Sequence, residues 1–417
     1  MLLTSPLAEK LYEEVKGLPI IDYHTHLPAD EILKDHCFEN LWELWLKYDH
    51  YKWRLMRGCG VEEALITGAA SPYEKFKAFA AILPLAIGNP VYQWAHMELQ
   101  AVFGIETLLS ADTAEQIWEE ANRQLADGIS VGSLLEQFKV EMIGTTDDPF
   151  DTLEDHQALV TEGSPVKVLP TYRPDPYLKK DEIDLNALKE RHDYFGAKGC
   201  KMSDHGIDHI PDKGTPAYDA LLEIAKWNHE KDWVMQLHLG PLRNVNTRLF
   251  SQAGRDSGID TMGSWAQTDR LIAFLNDLNE TNQLPKTVVY NLNPQESAAL
   301  CCALQSFQEG PTAGKIQYGA AWWHLDNVPG IQKQLELTTS LTALGAHIGM
   351  LTDSRSFTSY VRHDYYRRIL CSFLADQALS GEMPNDFALL SQTAKNVAYN
   401  NVKHYLCLLY TSDAADD

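Results

Sequence analysis

Eight short, β-rich apolar runs recur along the chain, separated by stretches with helical periodicity. They are PIIDYHTH (19–26), KVEMIGTT (139–146), KVLPTYR (167–173), GCKMSD (199–204), WVMQLHLG (233–240), TVVYNLN (287–293), KIQYGAA (315–321) and HIGMLTD (347–353). Near-continuous apolar strands that alternate with helices belong to a parallel sheet buried on both faces. Eight such units favour an α/β fold closed into a (β/α)8, TIM-like barrel over an open doubly wound sheet. No G-x-G-x-x-G follows any of the runs, which weakens a dinucleotide-binding alternative. The 417 residues, 45% of them hydrophobic, suffice for one large core or two medium ones.

One spacing breaks the rhythm. Residues 1–29 read as an N-terminal segment plus the first strand, and the second strand starts only at 139. Residues 30–138 between them have helical patterning, as in SPYEKFKAFAAILPLAIG and ADTAEQIWEEANRQLADG, and read as a helical insertion after strand one. In the second of these, Ser110 or Asp112 is the expected N-cap and Gly128 the stop. An insertion there leaves the barrel at the strand C-terminal side, where barrel active sites lie. Residues 139–406 supply the rest of the barrel. The tail 407–417 has no periodic pattern and is expected to be disordered or extraneous.

The formal charge of −23 argues against a nucleic-acid surface, which needs clustered Lys and Arg. It does not argue against a small anionic ligand, because a few convergent arginines reverse the local field. The cysteine count is odd, at seven, and no C-x-x-C occurs, so a thiolate zinc site or disulfide framework is not expected and a cytoplasmic setting fits. The N-terminus lacks the apolar core of a secretory signal, and no run of about 18 apolar residues marks a membrane span. Assembly into a homo-oligomer is left open.

The chemistry gathers at the ends of the strands. In Asp22-Tyr23-His24-Thr25-His26 the two histidines stand at i and i+2, which share a face in a strand. Both imidazoles then point into the barrel mouth at a spacing suited to one divalent metal, although an isolated H-x-H also occurs as a plain hydrogen-bonded pair. His238 closes the fifth run and Asp353 the eighth. Nitrogen and oxygen ligands converging from different strands are what a barrel metal site needs. With these residues the sequence resembles the amidohydrolase superfamily. Asp353 has a second reading as a helix cap before SRSFTSYVRHDYY, and His238 one as a donor behind the metal ligands.

Three further groups stand out. Asp49-His50-Tyr51-Lys52-Trp53-Arg54 lies in the insertion and is dense in proton-transfer groups, with His50 and Tyr51 able to move protons between neighbouring oxygens. Periodicity alone makes it a polar helix face. Arg173, Arg243 and Arg355 fall just past strand ends and suit an anion with several oxygens, though each also has a reading as the partner of a loop carboxylate such as Asp204 or Asp175. Asp204 and His205, in Ser203-Asp204-His205-Gly206, are candidates to orient substrate hydroxyls or to support metal ligands. Trp322 and Trp323 are candidates for an apolar wall against a sugar face, although aromatic pairs are more often core than binding surface.

Several stretches together resemble uronate isomerase, the glucuronate isomerase family of hexuronate catabolism. They include DYHTHL, DHYKWRLMRG, TTDDPFDTLEDH, PTYRPD, GCKMSDHGID, GPLRNVNTR, GKIQYGAAWW and GMLTDSRSFTSYVRHDYYRRIL, and they span roughly residues 18–405. Met202, Pro241, Val245 and the stretch Ala320–His324 depart from the family pattern. The resemblance implies one divalent metal per chain, commonly zinc, and conversion of D-glucuronate to D-fructuronate and of D-galacturonate to D-tagaturonate. It implies His24, His26 and Asp353 as ligands, with His238 as a further candidate. Asp353 is then also well placed as base, with His50 and Tyr51 as proton shuttles. Arg173, Arg243, Arg355, Asp204, His205, Trp322 and Trp323 are left to bind the hexuronate. Two alternatives stand beside it: a metal-dependent hydrolase of a sugar-acid lactone or amide on the same scaffold, and a sugar-acid-binding protein without turnover.

Overall fold

The computed structural model describes residues 2–180 and 182–408. Ten strands form: β1 (Ile20–Asp22), β2 (Val140–Gly144), β3 (Lys167–Leu169), β4 (Thr171–Tyr172), β5 (Met202–Ile207), β6 (Val234–Leu239), β7 (Pro241–Leu242), β8 (Thr261–Met262), β9 (Lys286–Asn291) and β10 (Ile316–Tyr318). One parallel set runs β1-β2-β3 and a second runs β10-β9-β6-β5-β4, while β7 and β8 make a separate antiparallel pair. The register sets His238 of β6 opposite Gly206 of β5 and Tyr290 of β9.

The two parallel sets are parts of one barrel. The third predicted strand is cut at Pro170, which has no N–H to give a ladder. The chain continues as β4, which bridges to Asp147 beyond the end of β2, with Arg173 N donating to Asp147 O at 3.1 Å. On the other flank, residues 347–353 take the place of the eighth strand. They form no ladder, contrary to the sequence expectation. Left-handed backbone at Gly349 (φ 74°) and Asp353 (φ 47°) breaks the β geometry. Single bonds hold the segment instead. Thr352 N donates to Asp22 Oδ1 at 2.9 Å and Asp353 N to His24 O at 3.1 Å, while His26 N donates to Ser354 O at 2.8 Å. β1 likewise ends at Asp22, so His24 and His26 lie just past the strand rather than in it.

The lumen is filled by Ile21, Tyr23, Met142, Leu169, Met202, Val234, Val288 and Tyr290, so the barrel is a packed core and not a pore. The segment after β1 is helical, as its periodicity predicts, from Ala29–Leu33 to Val131–Gln137. Its apolar side chains, among them Trp45, Phe76, Phe79 and Trp94, form one cluster with Ile20, Val140 and Val168 of the barrel strands. The expected N-cap of helix Ala114–Ala126 is displaced: Thr113 stands at the N-cap, and Ser110 instead donates its N–H to Thr113 Oγ1 at 2.9 Å, while Gly128, at φ 116°, follows the C-cap Asp127 as the expected stop. Helix His50–Gly58 is capped by Asp49, whose carboxylate accepts the N–H groups of Tyr51 and Lys52, each at 3.0 Å. Lys52, fully buried, stands 3.0 Å from Asp49 and 3.2 Å from Glu98, and so ties this helix to helix Pro90–Phe103.

All seven cysteines are free, and among the described residues no helix is long and apolar enough to cross a membrane. Of the tail predicted to be disordered or extraneous, Cys407 and Leu408 are placed, with Leu408 buried in the lumen cluster, and the remainder lies outside the described residues.

The irregular eighth segment depends on Gly349. A Cβ at this position would stand 2.1 Å from the Val397 carbonyl oxygen, on a backbone that L side chains already disfavour. Gly349→Ala is therefore expected to destabilise the fold by about 2 kcal/mol or more, read as a drop in the urea midpoint. An unchanged midpoint would show that the segment yields freely.

Candidate active site

The C-terminal ends of the strands open into a cavity of ≈ 280 Å³ lined by His24, His26, His50, Thr146, Arg173, His238, Arg243, Asp256, Trp322, Trp323, Asp353 and Arg355. Thus every predicted ligand and arginine, both tryptophans and His50 meet at one place. Tyr51 lies behind His50, ring centroids 4.7 Å apart, and Asp204 lies under the floor. His205 does not join them. Strand alternation turns it to the opposite face of β5, where its Nε2 is 3.0 Å from Ser203 Oγ in a network that continues to Asn228 and His192.

Asp353 is the centre of the site. Its Oδ1 stands 3.2 Å from His24 Nε2 and 3.1 Å from His26 Nε2. Its Oδ2 accepts from the indoles of Trp322 at 2.5 Å and Trp323 at 3.1 Å. These contacts displace the helix-cap reading, since the next α-helix starts only at Val361. The two tryptophans do more than wall the site: they fix one carboxylate oxygen and leave the other to the histidines. Burial pushes the Asp353 carboxyl up, but the flanking imidazoles outweigh it and hold the group well below the usual carboxylate range.

Asp204 is the second organising carboxylate. It is fully buried, with Oδ1 2.6 Å from His238 Nδ1 and Oδ2 3.0 Å from Arg173 Nη1. Burial raises its carboxyl, while Arg173, His24 and His238 together bring it well below its ordinary value. The contact to Nδ1 orients the His238 ring, which stacks on Tyr290 with centroids 4.1 Å apart. Burial also lowers His238 and favours its neutral form, with Nε2 left as an acceptor.

Each arginine carries an acidic companion. Arg173 also donates to Asp175 at 3.1 Å, Arg243 lies 3.4 Å from Asp260, and Arg355 lies 3.2 Å from Asp256. The reading of arginines paired with nearby carboxylates therefore holds for all three, and for Arg173 the partners are the two predicted. All three still face the cavity. Gly206 makes room for two of them, since a Cβ there would come within 2.4 Å of Arg173 Nη2 and 3.1 Å of Arg243 Nη2.

Burial lowers His50, with Arg355 adding to the effect against Asp49, so its imidazole is favoured as neutral. Burial raises the Tyr51 phenol well above its ordinary value, which keeps it a proton donor. Lys52, from the same motif, turns away into its buried ion pairs. Thr146 and Asp256 line the cavity without having been foreseen. Asp256 sits in no distinctive motif, whereas Thr146 ends the second predicted strand and lies in TTDDPFDTLEDH, where strand-end reasoning finds it.

Among the described residues, two sets of three side chains bring ligand atoms within 4.8 Å of one another: His24, His26 and Asp353, and His24, Asp204 and His238. The first set fits a divalent cation. Asp353 Oδ1, for all its nearness to two imidazoles, takes part in no aligned hydrogen bond, and His238 Nε2 is likewise unpartnered. Burial lowers His24, but Asp204 and Asp353 outweigh it and favour a positive charge there, which a proton or a cation can supply.

A family model described as glucuronate isomerase matches residues 1–184 and 215–406. The chain belongs to the glucuronate isomerase family. It is 40% identical to a uronate isomerase of Caldanaerobacter subterraneus, covering 97% of this chain and 98% of that one. With a uronate isomerase of Histophilus somni it shares the same identity and coverage. The crystal structure of Thermotoga maritima uronate isomerase superposes with a TM-score of 0.90 at 33% identity, over 97% of this chain and 98% of that one. That of Caulobacter crescentus glucuronate isomerase gives 0.89 at 25% identity, over 100% and 98%. These glucuronate isomerase relatives bear out the barrel expected from the eight strand-like runs.

The Asp204 linkage can be tested apart from any activity. Asp204→Asn removes the charge that Arg173 and His238 share inside the protein. Breaking one side of a buried ionic cluster should cost about 3 kcal/mol or more, measured by chemical denaturation. A loss below about 1 kcal/mol, the range of exposed pairs, would mean that Asp204 does not organise this floor.

Proposed function

We propose that the protein is an aldose–ketose isomerase that interconverts D-glucuronate with D-fructuronate, and D-galacturonate with D-tagaturonate. The observation that carries this reading is the family match across nearly the whole chain, with its strand-end histidines, Asp353 and arginines meeting in one cavity. The match also favours isomerisation over hydrolysis on the same scaffold. Seven unpaired cysteines support placing the enzyme in the cytoplasm.

The reaction moves a proton from C2 to C1 through a cis-enediol and shifts a second proton between O1 and O2. The C2–H is a weak acid, so negative charge on the oxygens must be matched as it develops. Arg243 and Arg355 would take the substrate carboxylate, their planar forks suiting a two-oxygen anion. Asp353 would accept the C2 proton and return it at C1, held in line by the two indoles. His50, at the cavity wall, would pass the hydroxyl proton between the oxygens, with the Tyr51 phenol behind it as the donor. Arg173 would add positive charge near the reacting end while Asp204 holds it in place. His24, His26 and Asp353, with His238 as a fourth candidate, would hold a divalent metal, zinc by donor type, which supplies Lewis-acid stabilisation of oxyanion charge and anchors the substrate.

The metal-replete protein is expected to form the 2-keto product from both uronates in a steady-state assay. D-glucose lacks the carboxylate, and an unpaired anchor in a buried site is worth on the order of 2–5 kcal/mol, so its kcat/KM should be lower by roughly two to three decades. Lactone or amide turnover without isomerisation would move the assignment to a hydrolase, and uronate binding without turnover to a binding protein. Comparable rates with glucose would remove the uronate reading.

The metal reading has its own check. The protein as purified is expected to carry about one divalent ion per chain, and His24→Ala combined with His26→Ala should abolish it in elemental analysis. A full metal complement in that double variant would relocate the site.

A further inference from the structure

Beneath the cavity lies an arginine that none of these steps uses. Arg362 begins the first turn of helix Val361–Leu379 and is 2% exposed. A guanidinium sealed from water is costly unless its charge and donors are matched. Here the charge is met from three parts of the fold, while one buried donor, Nε, has no hydrogen-bond partner. Nη1 donates to the Thr352 carbonyl at 3.1 Å, in the barrel wall one residue before Asp353. The same nitrogen stands 3.7 Å from the Asp326 carboxylate. The guanidinium carbon lies 5.1 Å from the centre of the Tyr51 ring and 4.0 Å from that of Trp94, within cation–π range of both. Tyr51 and Trp94 belong to two helices of the insertion, so this one side chain joins the insertion to the segment that carries Asp353.

We propose that Arg362 is a positioning residue for the isomerisation: by holding the Tyr51 ring and the Thr352 carbonyl on one guanidinium, it fixes the Tyr51 phenol relative to the Asp353 carboxylate. The inference rests on the role given to Tyr51 above. A group that must hand on a proton is sensitive to placement, and an error on the order of 1 Å costs about 10²-fold in rate. Arg362 is suited to set that placement because its guanidinium carbon lies within cation–π range of both rings while Nη1 donates to the carbonyl. Lysine keeps the charge and loses the planar geometry.

A merely packed arginine would affect stability. A positioning one couples to Tyr51. The test uses the full-length, metal-replete protein carrying Arg362→Met, Arg362→Lys or Tyr51→Phe, and each Arg362 change combined with Tyr51→Phe, with kcat and KM for D-glucuronate, Tm and metal content recorded for each. Arg362→Met is expected to lower kcat by about 10²-fold while KM stays within about threefold, and Arg362→Lys to recover part of the loss. In the Tyr51→Phe background the same substitution should cost less than about threefold more, because the two residues act as one unit. A kcat loss that persists undiminished in that background overturns the proposal, as does an unchanged kcat in Arg362→Met. If Tyr51→Phe itself keeps full kcat, the role of Tyr51 fails and the proposal falls with it. A slow Tyr51→Phe beside a normal Arg362→Met overturns the proposal alone. Should Arg362→Met not fold, Arg362→Lys, which keeps the charge opposite Asp326, carries the same cycle.

Discussion

The site depends on one carboxylate shared by separate parts of the chain. Asp353 meets His24 and His26 from the segment after β1 and the indoles of Trp322 and Trp323 from the segment after β10. None of these neighbours lies within its own stretch of sequence, so the site exists only when the barrel is closed. The closure is local and costly. Asp353 sits at φ 47°, a conformation that non-glycine residues rarely adopt, and the segment before it gives up a regular ladder. The strain is compensated by the bonds to Asp22, His24 and Ser354, each made by groups that would otherwise be buried without partners.

The second carboxylate shows how the floor and the mouth are coupled. Asp204 orients His238 with one oxygen and restrains Arg173 with the other. A carboxylate with no exposure could not stay ionised among neutral groups, because burial alone would favour its protonated form. It stays charged because cationic and polarisable partners surround it. The same logic explains Gly206, the next residue but one along β5. Its missing side chain is the space in which two guanidinium groups approach each other, with Asp175 and Asp260 as their respective companions.

Much of this was legible in the sequence, and the misses have physical causes. The strand-like runs and their C-terminal ends place His24, His26, His238 and Asp353 together, because a parallel barrel puts the end of every strand at one rim. Helical periodicity also matches the helices found between β1 and β2. The strand pattern failed where backbone geometry departs from regularity: at Pro170, which splits one strand, and over 347–353, where bonds to β1 replace a ladder. The error with His205 has another origin. Its motif reads as a unit in sequence, yet alternate residues of a strand face opposite sides, so Asp204 and His205 cannot both reach the cavity. Tyr51 falls one layer behind His50 because successive residues of a helix lie about 100° apart. The tryptophans defeated composition-based reasoning for a different reason: a buried indole is usually core, and only the structure shows the N–H that makes these two polar.

The net charge of −23 and an arginine-lined mouth are compatible because the acidic groups are arranged, not averaged. Every arginine at the rim has a carboxylate beside it: Asp175 and Asp204 for Arg173, Asp260 for Arg243 and Asp256 for Arg355. A guanidinium left alone in a cleft of low polarity would be poorly solvated, and three of them would repel one another. Local carboxylates remove both penalties and aim the forks. Their burial differs, and so does their role. Asp204 and Asp175 are buried beside Arg173, whereas Asp256 is half-exposed beside Arg355. The mouth is thus sealed from water at its base and open to it at its rim. That gradient is what a site needs when it must hold its reacting groups still and yet let a charged ligand enter and leave.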